Sequence, residues 1–325
     1  RKKNGVNALI KAIENVSKEK RERDAKRGIK NRPVRAMVAG IPNVGKSTLI
    51  NALIGQKIAI ISDKPQTTRS RILCILTEED AQIIFLDTPG VHKPHHKLGA
   101  YMARATESAL HGVDAIVFVV DATEKMGAGE QYILKQLADV HVPVLLAVNK
   151  IDRIPRAAVL PIIASYTSAY DFAGVVPISA RDKLNLEGLL EEIKKHLPHG
   201  PRYYPEDMVT DQPERRIIAE LIREKALELT RDEIPHAIAV DIEEMTTRPK
   251  GDVYIRAVLY VERTSQKGIL IGAGGRLLRT IGARARADAE MLLEAKVFLD
   301  LWVKTRKDWR NRASALRAFG FQEDD

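Results

Sequence analysis

The sequence predicts an α/β domain built on a mostly parallel sheet with helices on both faces, followed by a smaller α+β domain. Three observations predict it. Between Pro33 and about Leu197, short apolar runs alternate with helical patterns, as parallel strands joined by helical crossovers require. Residues 40–47 read G-x-x-x-x-G-K-S between an apolar strand and a good helix start. Beyond residue 213 the order becomes α-β-β-α-α-β, with a G-x-x-G turn between the two central helices.

Composition bounds the answer. A chain of 325 residues suggests two domains, and 45% apolar residues can bury real cores. The single cysteine, Cys74, excludes a disulfide framework and suggests a reducing cytosol. No apolar run approaches the roughly 20 residues of a membrane span. No signal peptide is recognisable. The chain begins with Arg1 rather than Met, as a fragment or a processed chain would. The net charge of +9 is unevenly placed. Residues 1–35 carry 13 Lys/Arg against 4 acids, so the rest of the chain is balanced. The basic character therefore belongs to an N-terminal arm, either a solvated helix or a contact for RNA.

The elements follow in order. Val6, Leu9, Ile10, Ile13 and Val16 have helical spacing, and Lys18 to Arg35 is almost wholly charged. Strands are expected at 34–39, 70–77, 81–87, 114–120, 143–149 and 174–178. Helices are expected at 46–54, 95–111, 127–139, 155–170 and 184–197. A Pro-rich linker spans 199–212. A helix at 213–229, strands at 236–243 and 252–262, a helical stretch at 276–292 and a strand from Val297 complete the chain. The division is a basic arm 1–33, a first domain 34–198, the linker, and a second domain 213–325.

The chemistry sits at strand ends, where open α/β sheets bind ligands. In Gly40-Ile41-Pro42-Asn43-Val44-Gly45-Lys46-Ser47-Thr48, glycines let backbone N–H groups approach a triphosphate, and the helix start adds a positive dipole end. Lys46 would reach the β and γ phosphates, and Ser47 would hold Mg²⁺. Asp87-Thr88-Pro89-Gly90 follows an apolar strand; Asp87 would bind Mg²⁺ through water and the Gly90 N–H would sense the γ-phosphate. Thr67-Thr68 can supply the hydroxyl that closes on Mg²⁺; Thr68 is preferred and Thr67 stays open. Asn149-Lys150-Ile151-Asp152 offers a carboxylate for the guanine edge, and Ser179-Ala180 would back the base. Each box alone is weak. Five in the right order, each placed on the strand pattern, point to a GTPase. Val91 stands where small GTPases such as Ras carry a water-orienting glutamine, so intrinsic hydrolysis is expected to be slow or to use another group. Asn43 can hold a monovalent cation, K⁺, beside the phosphates, which makes Lys46, Thr68 and Asn43 the catalytic candidates. His92, His95 and His96 have spacing that a metal could use, but a switch segment is the better reading.

The second domain reads as a KH domain of the second topological type. Its Gly272-Ala273-Gly274-Gly275 loop would pack on nucleic-acid backbone beside an apolar groove for about four nucleotides. Residues 263–312 hold 12 Lys/Arg and 5 acids, which fits phosphate contact.

Residues from about 45 to 325 resemble Era, the ribosome-assembly GTPases with a C-terminal KH domain. Gln66-Thr67-Thr68-Arg69, Asp87-Thr88-Pro89-Gly90-Val91-His92-Lys93-Pro94 and the KH segment carry the resemblance. It implies Mg²⁺-dependent GTP hydrolysis and binding of the single-stranded 3′ end of small-subunit rRNA. It also implies a role in small ribosomal subunit maturation, by a cytoplasmic monomer with peripheral association at the inner face of the membrane. Era proteins usually have lysine where this chain has Ala273, so Arg276 and Lys267 are the candidates to replace that phosphate contact. The first 50 residues instead look like the circularly permuted YlqF/RbgA family, whose terminal helix precedes the phosphate-loop strand. Val6, Leu9, Ile10 and Ile13 match the spacing of Leu186, Leu189, Leu190 and Ile193, so that helix occurs twice and the chain reads as a splice. The copy at 184–197 is expected to take the site on the sheet, since it follows its strand after a short loop. Two rival readings are weaker. A large-subunit role of the YlqF/RbgA kind conflicts with the KH domain, and a non-cycling RNA-binding scaffold conflicts with intact Lys46, Ser47, Thr68 and Asp87.

Overall fold

A computed structural model describes residues 33–64, 66–90, 96–110 and 112–321. The N-terminal arm, including its copy of the terminal helix, and residues 91–95 lie outside the described residues.

The first domain begins with β1 (Arg35–Ala39) and α1 (Lys46–Ile54). Next come β2 (Ile72–Thr77), β3 (Gln82–Asp87), α2 (Lys97–Leu110), β4 (Ala115–Asp121) and α3 (Ala128–Leu137). It ends with β5 (Val144–Asn149), α4 (Val159–Thr167), β6 (Gly174–Pro177) and α5 (Leu186–His196). The six strands form one sheet in the order β2-β3-β1-β4-β5-β6. All neighbours are parallel except β2 and β3. That pair is joined by a short turn in which the Glu78 N–H donates to Ala81 O at 2.8 Å, and so short a link permits only antiparallel strands. The central strands β4 and β5 are continuous apolar runs because both sheet faces are covered. Ala36, Val38, Leu49 and Leu53 pack on one face with α5, whose Leu186, Leu189 and Ile193 are buried. Met37, Ile84, Phe118, Ile133 and Tyr166 fill the other face. The expected helix 155–170 is shorter. Two 3₁₀ turns, Ile151–Arg153 and Arg156–Ala158, precede α4. Pro155 has an extended conformation, and Pro161 falls in the first turn of α4, where a missing N–H costs nothing.

The second domain contains α6 (Glu214–Leu229), α7 (Ile234–Ala237), β7 (Ala239–Thr247) and β8 (Val253–Val261). Then follow α8 (Thr264–Ile271), α9 (Arg276–Leu293), β9 (Val297–Thr305) and α10 (Ala313–Ala318). β7 and β8 pair antiparallel, β8 and β9 parallel. Ile218 and Ile222 of α6, with Ile281 and Ala285 of α9, are fully buried against Ile255, Ala257 and Leu259 of β8. The strand expected at 236–243 starts three residues later, because Ile234–Ala237 is a helical turn with Pro235 near its start. Carbonyls of that turn are committed elsewhere: Arg69 donates to Ile238 O at 2.6 Å and to His236 O at 3.1 Å.

The two domains share a core. Leu98 and Met102 of α2 pack with Trp309, Leu316, Phe319 and Phe321 from the end of the chain. The Trp309 indole N–H donates to Ala237 O at 2.8 Å, and the Arg69 guanidinium lies 5.7 Å from its ring centroid. Lys57, after α1, forms ion pairs with Glu224 of α6 and with Asp288 of α9 at 2.7 Å.

Candidate nucleotide site and nucleic-acid interface

The turn between β1 and α1 is shaped by residues with positive φ. Gly45 has φ +99°, and a Cβ there would lie 2.4 Å from Asn149 Nδ2, so only glycine fits. Asn43 is also left-handed, at φ 68°. Lys46 is buried and stretches back across the loop, donating to Gly40 O at 3.1 Å and Ile41 O at 2.9 Å. Burial lowers its pKa to about 8, against the opposing pull of Asp87. Pro42, Asn43, Thr48, Thr67, Gly90 and Lys150 line the cleft with it, about 290 Å³ in volume.

Three oxygens converge beside the lysine. Ser47 Oγ donates to Asp87 Oδ2 at 2.8 Å, Thr68 Oγ1 donates to the same atom at 3.2 Å, and the two hydroxyls are 3.1 Å apart. Asp87 is fully buried, which raises its pKa against the pull of Lys46 and the hydroxyl bonds. Its Oδ1 has no hydrogen-bond partner among the described residues. A buried carboxylate with an orphan oxygen beside two hydroxyls is a hard-oxygen donor set. It fits Mg²⁺, which takes few protein ligands and shares the rest with phosphates and water. Thr67 is different: its hydroxyl donates to Lys64 O at 2.6 Å. The described residues contain no group of three His, Cys, Asp or Glu side chains placed for a metal. His96 caps α2 instead, its Nδ1 accepting from the Gly99 N–H at 2.8 Å.

The Asn149-Lys150-Ile151-Asp152 and Ser179-Ala180 boxes are tied to the loop. Asn149 donates to Val44 O at 2.8 Å and accepts from the Ala180 N–H at 2.9 Å, joining three boxes through one side chain. Lys150 donates to Asn43 O at 2.8 Å and pairs with Asp121. Asp152 accepts from Ser179 Oγ at 2.7 Å, and the Arg181 guanidinium stands 2.8 Å from its other oxygen. Thr88 donates to Val38 O at 3.2 Å, and Pro89 O accepts from Thr106 Oγ1 at 3.1 Å, which fixes the start of that segment.

In the second domain Gly272, Gly274 and Gly275 all have positive φ, at 73°, 59° and 76°. A Cβ on Gly272 would come within 2.8 Å of Leu277, so the turn closes only on glycine. Arg276 is exposed and donates to Ala273 O at 3.3 Å; Lys267 sits half-buried on α8. Beside the loop runs a groove of about 440 Å³ between α9 and β9, with Leu278, Gly282, Ala283, Phe298 and Leu301 among its walls.

Residues 35–150 match the family described as 50S ribosome-binding GTPase, and residues 233–310 match the KH domain. A solved structure of Era in complex with MgGDPNP and nucleotides 1506–1542 of 16S ribosomal RNA is 41% identical over 90% of this chain and 100% of its own, with a TM-score of 0.87. The chain belongs to the Era family of GTPases. A variant of Aquifex aeolicus Era bound to GDP.AlF4- is similar too, at 41% identity over 89% of this chain and 99% of its own, with a TM-score of 0.86. The chain is thus a GTP hydrolase with a KH domain.

Sequence reasoning missed several residues around this Era-type site. Asp121 at the end of β4 and Arg181 after Ser179-Ala180 hold Lys150 and Asp152, but isolated charges carry no motif. Arg279 reaches back to Gly274 O and to Gly275 O at 3.4 Å, one turn beyond Arg276. The signal was available as helical spacing: Arg276 and Arg279 lie three residues apart, on one side of α9.

Proposed function

We propose that this GTPase couples its nucleotide state to binding of the single-stranded 3′ end of small-subunit rRNA, and acts in small-subunit maturation. The observation that carries this reading is the shared domain junction. The segment bearing Thr68 is held by KH-domain groups: Arg69 on the His236 and Ile238 carbonyls, and the Thr67 carbonyl on Arg223 of α6. A change at the phosphates therefore has a direct route to the RNA-binding domain. The neighbouring Era structure, solved with 16S rRNA nucleotides, supports the choice of RNA.

In this reading Lys46 holds the β and γ phosphates, and the Gly90 N–H meets the γ-phosphate. Ser47 and Thr68 ligate Mg²⁺, with Asp87 acting through water; the neighbour's MgGDPNP supports GTP and Mg²⁺ as its ligands. Thr68 is preferred over Thr67 because its hydroxyl, not that of Thr67, faces Asp87. Asn149, Lys150, Asp152, Ser179 and Ala180 hold guanine. Asn43 spends its amide nitrogen on Asp63 O at 2.8 Å and its main-chain oxygen on Lys150, and its side-chain Oδ1 is the atom that would meet K⁺. The glycine loop, Arg276, Lys267 and Arg279 meet RNA phosphates, and bases enter the groove beside Phe298. The protein works as a monomer in the cytoplasm. Crosslinking to small ribosomal subunits in the GTP-bound state, with sites mapped, tests this. Crosslinks at the 3′ end of the small-subunit rRNA are expected. Crosslinks confined to large-subunit rRNA would contradict it.

A further inference from the structure

The Thr68 hydroxyl belongs to the first domain, but its placement does not. The peptide between Thr67 and Thr68 is planar, so the orientation of the Thr67 carbonyl fixes the plane from which Thr68 projects. That carbonyl accepts a hydrogen bond from the Arg223 guanidinium of α6, in the KH domain. Arg223 is only 1% exposed. Its own position is set by Glu220, which accepts from Nε at 3.0 Å and from a terminal nitrogen at 2.6 Å. The bidentate fork leaves the guanidinium little freedom. The next residue on α6, Glu224, accepts from the Ile61 N–H at 2.9 Å, so two successive KH residues grip both ends of the stretch between Ile61 and Thr67. On the far side of Thr68, Arg69 is anchored to Ile238 O and His236 O. Burying a guanidinium this deeply is costly, and Nη1 of Arg223 has no hydrogen-bond partner among the described residues; the partner that Nη2 crosses the domain junction to reach is the carbonyl next to the threonine that faces Asp87.

We propose that Arg223 is a positioning residue for GTP hydrolysis. Held by Glu220, it orients the Thr67–Thr68 peptide so that the Thr68 hydroxyl faces Ser47 and Asp87. The nucleotide site is then complete only when the KH domain is seated, and withdrawal of α6 would release Thr68. The inference rests on the reading of Thr68 as the hydroxyl that meets Mg²⁺ in the triphosphate state.

The test is GTP turnover by the full chain as a function of Mg²⁺ concentration, with GDP affinity and a thermal melt measured in parallel. Thr68→Ala serves as the reference, Arg223→Lys removes the fork but keeps the charge, and the paired change Arg223→Met with Glu220→Gln removes both buried charges together. The paired change guards against misfolding from one stranded charge. Displacing a catalytic group by about 1 Å can cost on the order of a hundredfold, so kcat in the paired variant should fall about tenfold to a hundredfold. Half-saturation by Mg²⁺ should rise as it does in Thr68→Ala, with GDP affinity unchanged and Arg223→Lys intermediate. If Thr68→Ala raises the Mg²⁺ requirement while the folded Arg223 variants keep the wild-type rate and Mg²⁺ curve, Arg223 merely supports the interface and the proposal fails. If Thr68→Ala itself leaves the Mg²⁺ curve unchanged, the reading of Thr68 fails and the proposal falls with it.

Discussion

Asp152 accepts from the Ser179 hydroxyl through one oxygen, and the Arg181 guanidinium stands 2.8 Å from the other; in the proposed function this carboxylate meets the guanine edge. Asp152→Asn replaces an acceptor by a donor and should move preference from GTP to xanthosine triphosphate. Loss of the paired charge-assisted contact should cost about 2–4 kcal/mol for GTP. Binding titrations with both nucleotides decide it, and unchanged GTP affinity would remove the assignment. Lys46 gives a pH dependence. Burial brings its pKa down to about 8, so the nucleotide-free lysine loses its proton above that pH. A bound triphosphate favours the ammonium. Above pH about 8, nucleotide binding should therefore take up a proton and weaken. Calorimetry at pH 8.5 in buffers of different ionisation enthalpy should show that uptake, absent in Lys46→Met. The sign for folding is opposite: the unfolded lysine stays protonated up to its ordinary pKa, so this residue's contribution favours the nucleotide-free fold more as pH rises from about 8. The place of Lys46 at a strand–helix turn was legible because its motif is contiguous. Arg181 and Asp121 were not, because what they do depends on a partner about 30 residues away in sequence.

At the scale of elements, the strand runs of the first domain were readable because β4 and β5 are unbroken apolar segments bounded by polar ends. The start of β7 was not. Its residues have strand-like composition, yet Arg69, far away in sequence, claims the carbonyls just before it. The α5 helix fills its site on the sheet with Leu186, Leu189 and Ile193. Leu189→Ala should destabilise the protein by about 2–5 kcal/mol, read from denaturant unfolding. Deleting residues 1–30 should shift the melting temperature by only a few degrees, since the site on the sheet is already filled, while flattening the salt dependence of RNA binding. A large loss of stability on deletion would mean that the N-terminal copy of this helix matters to the core. In the KH domain the turn from Gly272 to Gly275 is the element to break. The pair Gly272→Asp and Gly275→Asp adds two carboxylates and two Cβ atoms where the proposed function brings in phosphate backbone. RNA affinity should be lost with GTP affinity intact. Retained RNA affinity in a domain shown folded by circular dichroism would exclude the loop as the clamp.

Over the whole molecule, two domains that the sequence divides at a Pro-rich linker are joined far more closely than a linker implies. Trp309, Phe319 and Phe321, near the end of the chain, pack on α2 of the first domain. No periodicity foretold this, because the contact joins residues some 200 positions apart and the elements involved are short. The same junction carries Arg69, Lys57 and Arg223, and through them the nucleotide site touches the RNA-binding domain. The proposed coupling of GTP hydrolysis to RNA binding runs through that junction. Its most direct test is steady-state GTP turnover by the full chain, with and without an oligonucleotide of the small-subunit rRNA 3′ end. The oligonucleotide should change kcat, and Gly272→Asp with Gly275→Asp should abolish the change while leaving the basal rate intact. Equal turnover with and without RNA, at concentrations that saturate binding, would contradict it.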